Sequence, residues 1–317
     1  MEKEFRALGI EVVLAPKGAS KTELLRFFAH EFRTHRPDIL HTHLGGDVWA
    51  GLVAWWKGIH PRISTIHNED LDDPWMRTRL RAFAAKRTDH IACVSHVVKK
   101  YVHKTFGTGL HQLSVIPNGI DLSCIEERPP RPFSDIPRLV CVGRLTKQKG
   151  QETLLRALAR VKRPWRLEFC GEGPDRQRLE RLTESLGLLP RVTFLGVVSD
   201  VKRRLAEADV FCFPSRWEGQ GIAPLEAAAS ATPLLLSDLP VFQEWFDTTS
   251  AQFAPVDDVE AWTKQIEEML EHPAECVKRA LQAKKIVHER GSREKMAETY
   301  AYLYERWLNT YADPTRQ

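Results

Sequence analysis

The chain has 317 residues, of which 43% are hydrophobic and 28% charged, and 46 Lys and Arg face 42 Asp and Glu for a formal net charge of +4. That composition excludes a disordered or low-complexity chain, and so mild a charge does not by itself call for nucleic acid. No apolar run approaches the ~20 residues needed to span a bilayer, and the start MEKEFRALGIEVV lacks the long apolar core of a secretory leader.

In chain order, the first strand patterns are DILHTH (38–43), RISTIH (62–67) and HIACVS (90–95), with helical stretches between them. Short apolar strands that alternate with helices predict α/β layers around parallel sheets. Residues 76–104 carry Arg77, Arg79, Arg81, Lys86, Arg87, Lys99, Lys100 and Lys104 against one acid, Asp89. Met76, Leu80, Phe83 and Ala84 share one helical face there. The plain expectation is a core-facing helix with a solvated basic rim. The functional alternative is a basic amphipathic surface that docks on anionic lipid. Basic and aromatic residues do not interleave as in a known nucleic-acid module, so nucleic acid is not expected as a partner.

Residues 126–137 then hold Pro129, Pro130, Pro132 and Pro137, a density that continues neither a helix nor a central strand and predicts an interdomain linker. A second series follows, with strands at LVCVGR (139–144), RLEFCGEGP (166–174), VTFLG (192–196), DVFCFPS (209–215) and PLLLS (233–237), and helices near 150–161, 175–186 and 222–230. Residues 257–311 are helical by pattern, and the last helix places Met296, Tyr300, Leu303 and Trp307 on one face. The chain therefore reads as two Rossmann-like domains and a helical tail. Of six cysteines, Cys93, Cys141, Cys170 and Cys212 sit inside strand patterns and none forms a CxxC pair. They read as reduced, buried thiols of a cytosolic protein, not as a disulfide framework or a zinc site.

The stretch SRWEGQGIAPLE (215–226) carries the chemistry. Glu218 and Glu226 bracket the turn Gly219-Gln220-Gly221, between the end of a strand and the start of a helix. That places the turn at the C-terminal edge of a parallel sheet, where open α/β sheets bind ligands. A helix start offers unpaired N–H groups to a phosphate. Carboxylates instead accept hydrogen bonds from hydroxyls. Phosphate in the middle with hydroxyl-rich rings on either side is the shape of a nucleotide-diphosphate sugar. In the same domain GRLTKQKG (143–150) follows the first strand, so Arg144 and Lys149 fall at the same edge, where two cations could neutralise a diphosphate.

Taken together, the EX7E element, GRLTKQKG, GEGP (171–174) and IPNGID (116–121) resemble the retaining glycosyltransferases of family 4, which have the GT-B fold. The resemblance runs from about Pro37 to Trp307. It implies an α/β fold of two Rossmann-like domains with parallel sheets facing a cleft: an acceptor-side domain over 1–125, the linker, a donor domain over 138–291, and a C-terminal helix over 292–317 that returns to the first domain. It implies that Arg144 and Lys149 bind the diphosphate, that Glu218 contacts the transferred sugar, and that Glu226 holds the ribose hydroxyls. Gly219, Gln220, Gly221 and Ile222 form the phosphate-binding turn, and Gly196, Val197 and Val198 border the base. A histidine of the first domain assists near the donor sugar; His43 and His67 are weighed evenly, with His41 assigned to the strand itself. The reaction so implied moves a sugar to an acceptor hydroxyl with retention, in surface-glycan synthesis, on a lipid-linked or saccharide acceptor. No metal or cofactor is implied beyond the nucleotide sugar, and the setting is the cytoplasm, with a peripheral place on the membrane as an extension.

The sequence departs from the family pattern at its start, where FRALGIEVVLAP resembles a later part of the first domain, so the first two βα units are expected to be missing. Ala231 stands where the family places glycine after the helix, and Gln220 replaces a common aromatic. Asp70-Leu71-Asp72 has the form of the metal-binding DxD of another glycosyltransferase fold but reads as a solvated loop. Two other functions use the same scaffold: an inactive nucleotide-sugar binding module, and a nucleotide-sugar epimerase. A dinucleotide dehydrogenase is disfavoured because no GxGxxG follows the first strand of either domain.

Overall fold

The computed structural model describes residues 2–69, 73–126, 128 and 132–312. They form two compact units. The first takes the chain up to Cys93, then Tyr101–Ser114 and the final helix from Leu303 on; the second takes Val94–Lys100 and Val115–Tyr302. The main crossing thus falls after Ser114, ahead of the expected 125. Ile120 already belongs to the second core, buried in a cluster with Val140, Phe211 and Leu225.

In the first unit, strands β1 (Leu40–His43), β2 (Arg62–Ile66), β3 (His90–Cys93) and β4 (Leu113–Val115) lie in the sheet order β1-β2-β3-β4. The β1–β2 and β2–β3 pairs are parallel. Every residue of β2 is buried. Its one charge, Arg62, is neutralised by Asp89 at 3.2 Å and donates to the carbonyls of Arg87 and Ile59, which is the condition on which a buried guanidinium is tolerated.

The helix Trp75–Ala85 corrects the expected face. Met76 and Phe83 are exposed, and the residues it buries are Arg81, Ala84 and Ala85. Arg81 is no part of a basic surface: it pairs with Asp47 and Asp73, both at 3.3 Å. Periodicity cannot distinguish an arginine that finds a buried carboxylate from one that faces water. In the final helix, Arg293–Ala312, the expected face holds: Leu303 is buried and Met296, Tyr300 and Trp307 are half-buried.

The second unit is built on a six-stranded sheet of β5 (Arg138–Val142), β6 (Arg166–Cys170), β7 (Val192–Gly196), β8 (Val210–Phe213), β9 (Leu234–Ser237) and β10 (Gln252–Ala254). The order is β10-β9-β8-β5-β6-β7, with all described pairs parallel. Each face of the sheet is covered by one apolar cluster, the first around Trp165, Leu154 and Trp262 and the second around Phe211, Phe242 and Leu225. Burial on both faces explains the near-continuous apolar strands. The short β4 and β10 were not legible as strands, because three residues are too few to show a period.

Local signals set the helices that matter. The helix Val259–Glu271 opens on Asp258, whose side chain accepts from the Ala261 N–H at 2.9 Å, and buries Trp262, Ile266, Met269 and Leu270 at helical spacing. The helix Ile222–Ala229 ends at Ser230, after which Ala231 adopts a left-handed φ of 57°. That is the conformation a glycine takes at little cost.

The proline-rich 126–137 is anchored where it is described; residues 127 and 129–131 lie outside the described residues. Asp209, fully buried at the start of β8, accepts from Arg128 at 3.2 Å and from the backbone N–H groups of Ser134 and Arg138. Removing it takes the paired carboxylate from a buried guanidinium. Asp209→Ala is expected to cost roughly 3–5 kcal/mol in urea unfolding, while Glu207→Ala nearby, at an exposed carboxylate, should cost under about 1 kcal/mol. Equal small losses would show that Asp209 does not hold this segment.

Candidate functional site

The sheet order of the second unit creates the site. From β5 the chain winds to one side through β6 and β7, then returns to the other side through β8, β9 and β10. β5 and β8 are therefore neighbours whose following loops leave in opposite directions, the switch point at which α/β sheets open a crevice. The loop after β5 is Gly143–Gly150 and the loop after β8 is Pro214–Gly221.

Backbone contacts tie these two loops together. The Arg216 N–H donates to the Gln148 carbonyl at 2.7 Å. Gln148 returns a bond from Nε2 to the Trp217 carbonyl at 2.9 Å, and Arg216 Nη1 donates to the Lys147 carbonyl at 2.5 Å. Asp257, itself at φ 59°, clamps Arg216 Nε at 2.8 Å and accepts from Thr153 at 2.8 Å. Gly150 has no alternative: its φ is 63°, and a Cβ there would lie 2.0 Å from the Pro214 carbonyl oxygen.

The zip brings Lys149 to Glu218. The ammonium donates to the carboxylate and also lies 4.8 Å from the Phe213 ring centroid. Arg144 is exposed and its side chain makes no hydrogen bond or ion pair among the described residues; its own carbonyl accepts from Gln151 at 2.9 Å. Gly221, at φ 83°, opens the helix Ile222–Ala229 with no side-chain cap, so its first N–H groups are not taken by a neighbouring side chain. Glu226 lies on that helix, half-buried, and its carboxylate accepts no hydrogen bond from any described residue. Burial raises its pKa, opposed by the nearby charge of Lys202.

Gln220 lies in the turn with its side chain directed into the protein. Its side chain is 3% exposed and its amide is spent on the IPNG loop, accepting from the Asn118 N–H at 2.7 Å and donating to the Asn118 carbonyl at 2.9 Å. Where an aromatic would only fill space, this carboxamide fixes one loop to the other. Gly196 ends β7 on the same sheet edge at φ 71°; Val197 is 83% exposed and Val198 packs partly against the second core. Arg216, Gln148 and Asp257 were missed by sequence reasoning. No spacing marks them, since their partners are far away in the chain and meet only through the sheet order.

The first unit carries a histidine cluster. His43 and His67 follow the carboxyl ends of β1 and β2, and the two rings are joined, Nδ1 of His43 to Nε2 of His67, at 2.9 Å. The two candidates weighed evenly are thus one hydrogen-bonded pair. His41, two residues before His43 and on the same face, is wedged between Tyr304 at 2.5 Å and Thr65 at 2.7 Å. Burial first, then the neighbouring imidazoles, lowers the His41 pKa to about 4, and burial lowers those of His43 and His67. All three shifts favour the neutral imidazole. In a neutral pair one ring donates and the other accepts, so the pair can pass or accept a proton. The Asp70–Asp72 motif lies outside the described residues. No helix among the described residues is long and apolar enough to cross a membrane.

Two parallel-sheet units, the second with a phosphate-type turn at its switch point, define the GT-B class of fold. Residues 125–286 match the family model for glycosyl transferases group 1 and residues 3–123 match that for glycosyltransferase family 4, and the chain belongs to this family. It is 28% identical over 270 residues to the glycogen synthase of Mycobacterium tuberculosis, a match covering 80% of this chain and 64% of that protein. The chain therefore spans just under two thirds of that relative's length. It is 30% identical over 312 residues to the lipopolysaccharide core biosynthesis glycosyltransferase LpsE of Rhizobium meliloti, covering 95% of this chain and 83% of the relative. Among solved structures, Anabaena Alr3699/HepE in complex with UDP and glucose superposes with a TM-score of 0.86 at 19% identity, over 96% of this chain and 88% of that one, a likeness of fold.

The buried imidazoles have a stability consequence. A His41 held near pKa 4 in the folded state, against about 6.5 in the unfolded chain, leaves the unfolded state binding more protons between those values. Stability should therefore fall as pH drops from about 6.5 towards 4. The contribution of His41 is at most about 3 kcal/mol, lessened by the partial exposure of the ring. The variant His41→Asn should lose less on acidification than the parent when thermal midpoints at pH 7 and pH 4.5 are compared.

Proposed function

We propose that this chain is a retaining glycosyltransferase that moves a sugar from a nucleoside-diphosphate sugar to an acceptor hydroxyl. The observation that carries the reading is Glu226, a partly buried carboxylate with no hydrogen-bond donor of its own, on the helix that opens at the switch point. A vicinal diol such as that of ribose supplies the two O–H donors such a group lacks. One helical turn earlier, the uncapped N–H groups at Gly221 and Ile222 suit phosphate, and Arg144 and Lys149 supply cations.

In the reaction, the acceptor oxygen forms a bond to the anomeric carbon as the bond to the diphosphate oxygen breaks. The nucleoside diphosphate leaves with the bonding pair and takes up the acceptor proton, on the same face, which gives retention. Arg144, Lys149 and the helix N-terminus stabilise the charge that develops on the leaving group, the task a metal performs elsewhere. Glu218, freed from Lys149 when the diphosphate binds, accepts from hydroxyls of the transferred sugar. The His43–His67 pair is the candidate that assists near the transferred sugar. The likeness to LpsE supports a surface-glycan acceptor, and the likeness to a UDP-bound structure makes UDP the first nucleotide to test.

Calorimetric titration with UDP, GDP and ADP tests the reading. One nucleotide is expected to bind clearly better than the others. Lys149→Ala and Glu226→Ala should each weaken it roughly 10- to 100-fold with thermal stability retained. Unchanged affinity in both variants would refute the assigned donor site.

A further inference from the structure

The amino ends of β1 and β2, at the opposite end of the first sheet from His43 and His67, border a cavity of about 860 Å³. All of its described lining residues belong to the first unit. Phe32, Ile59 and Leu308 supply apolar walls, and Trp56 beside them is 75% exposed. His60 and Tyr311 add a stacked pair of rings, centroids 4.9 Å apart, and both are held by Asp89. Arg33, Arg36 and Lys57 line the same cavity, all exposed and none in an ion pair among the described residues. Arg33 Nη2 lies 3.5 Å from His30 Nδ1, and the Lys57 ammonium lies 5.3 Å from the Trp56 ring centroid. Asp38 is the one acid among the described lining residues.

The helices Lys21–His35 and Gly46–Trp56 both end here, and a cation near each C-terminus is expected from the helix dipole alone. Dipole compensation asks for no special backbone, yet Arg36 sits in the left-handed region at φ 41°, a conformation that glycine adopts at little cost. An arginine at a strained position, with two more cations on the same cavity and a single carboxylate against them, leaves a net positive site walled by rings. Guanidinium forks and an ammonium suit phosphate oxygens, and aromatic rings stack on one another. We infer that this cavity is a second ligand site and that it takes an aromatic phosphomonoester. The ring lies against Phe32 and Trp56, the phosphate meets Arg33, Arg36 and Lys57, and Asp38 accepts from a hydroxyl or amine where the ligand has one. An aryl phosphate and a nucleoside monophosphate share this chemistry. The inference does not depend on the glycosyl-transfer reading, because the donor loops belong to the second unit.

The test is calorimetry of the full chain with 1-naphthyl phosphate, AMP and inorganic phosphate. The parent is expected to bind 1-naphthyl phosphate at least about tenfold more tightly than inorganic phosphate. Arg36→Gly removes the guanidinium and supplies the residue that this backbone favours, so its thermal midpoint should hold or rise while 1-naphthyl phosphate weakens at least about fivefold. Lys57→Ala, at an exposed side chain, should weaken it by a similar factor. Lys149→Ala, which alters the donor loops, should leave it unchanged. AMP binding that Arg36→Gly abolishes supports a nucleotide occupant. AMP that fails to bind, or is lost only in Lys149→Ala, supports an aryl phosphate. No binding of 1-naphthyl phosphate by the parent, inorganic phosphate binding equally well, parent-like affinity in both Arg36→Gly and Lys57→Ala, or loss of 1-naphthyl phosphate in Lys149→Ala each overturns the inference.

Discussion

Everything in the candidate donor site depends on β5 and β8 being parallel neighbours from which the chain departs in opposite directions. No helix crosses over that junction, so the crevice stays open at the carboxyl ends of both strands. Two loops that are far apart in sequence then face each other with unpaired backbone groups. The zip of Gln148, Arg216 and Trp217 satisfies those groups and at the same time fixes the height of Lys149 and Glu218. Gly150 and Pro214 are so close that any side chain at 150 would force the loops apart.

The electrostatics follow from that placement. Lys149 and Glu218 are drawn together and neutralise each other in a site where both are largely removed from water. On the proposed reading, an incoming diphosphate would compete for the lysine and the released carboxylate would accept from sugar hydroxyls, so one exchange would prepare both ends of the ligand. The Glu226 carboxylate accepts from no described residue. A carboxylate left buried without donors is costly, and a ligand that supplies donors recovers that cost. This is the arrangement expected where affinity is concentrated in a few groups.

The first unit uses neutral polar groups in place of charge. His41, Thr65 and Tyr304 form one linked row, and His43 and His67 another, inside a sheet edge where protonation is suppressed by burial. Neutral imidazoles can act as both donor and acceptor, which an imidazolium cannot. The helix Trp75–Ala85 leaves Met76 and Phe83 exposed, buries Ala84 and Ala85, and turns Arg81 inwards to Asp47 and Asp73. That pairing removes one charge from the expected basic surface and leaves Met76 exposed.

The sequence by itself determined the alternation of strand and helix, the position of nearly every long strand, and the motif residues Arg144, Lys149, Glu218, Gly221 and Glu226. Each of these is written in local terms: a hydrophobic run, a glycine needed at positive φ, a helix start, a carboxylate at fixed spacing. Strands of three residues escaped because no period fits in them. What only the tertiary structure decided is which distant groups meet. The Gln220 carboxamide found Asn118, Arg216 found Lys147 and Asp257, His43 joined His67, and Arg81 went inside to Asp47. Each outcome follows from sheet order and register, which bring together side chains separated by dozens of residues. A polar side chain in the sequence carries no mark of whether its partner will be water, a neighbour or a ligand, because that choice is settled by the competition among all buried donors and acceptors once the chain has folded.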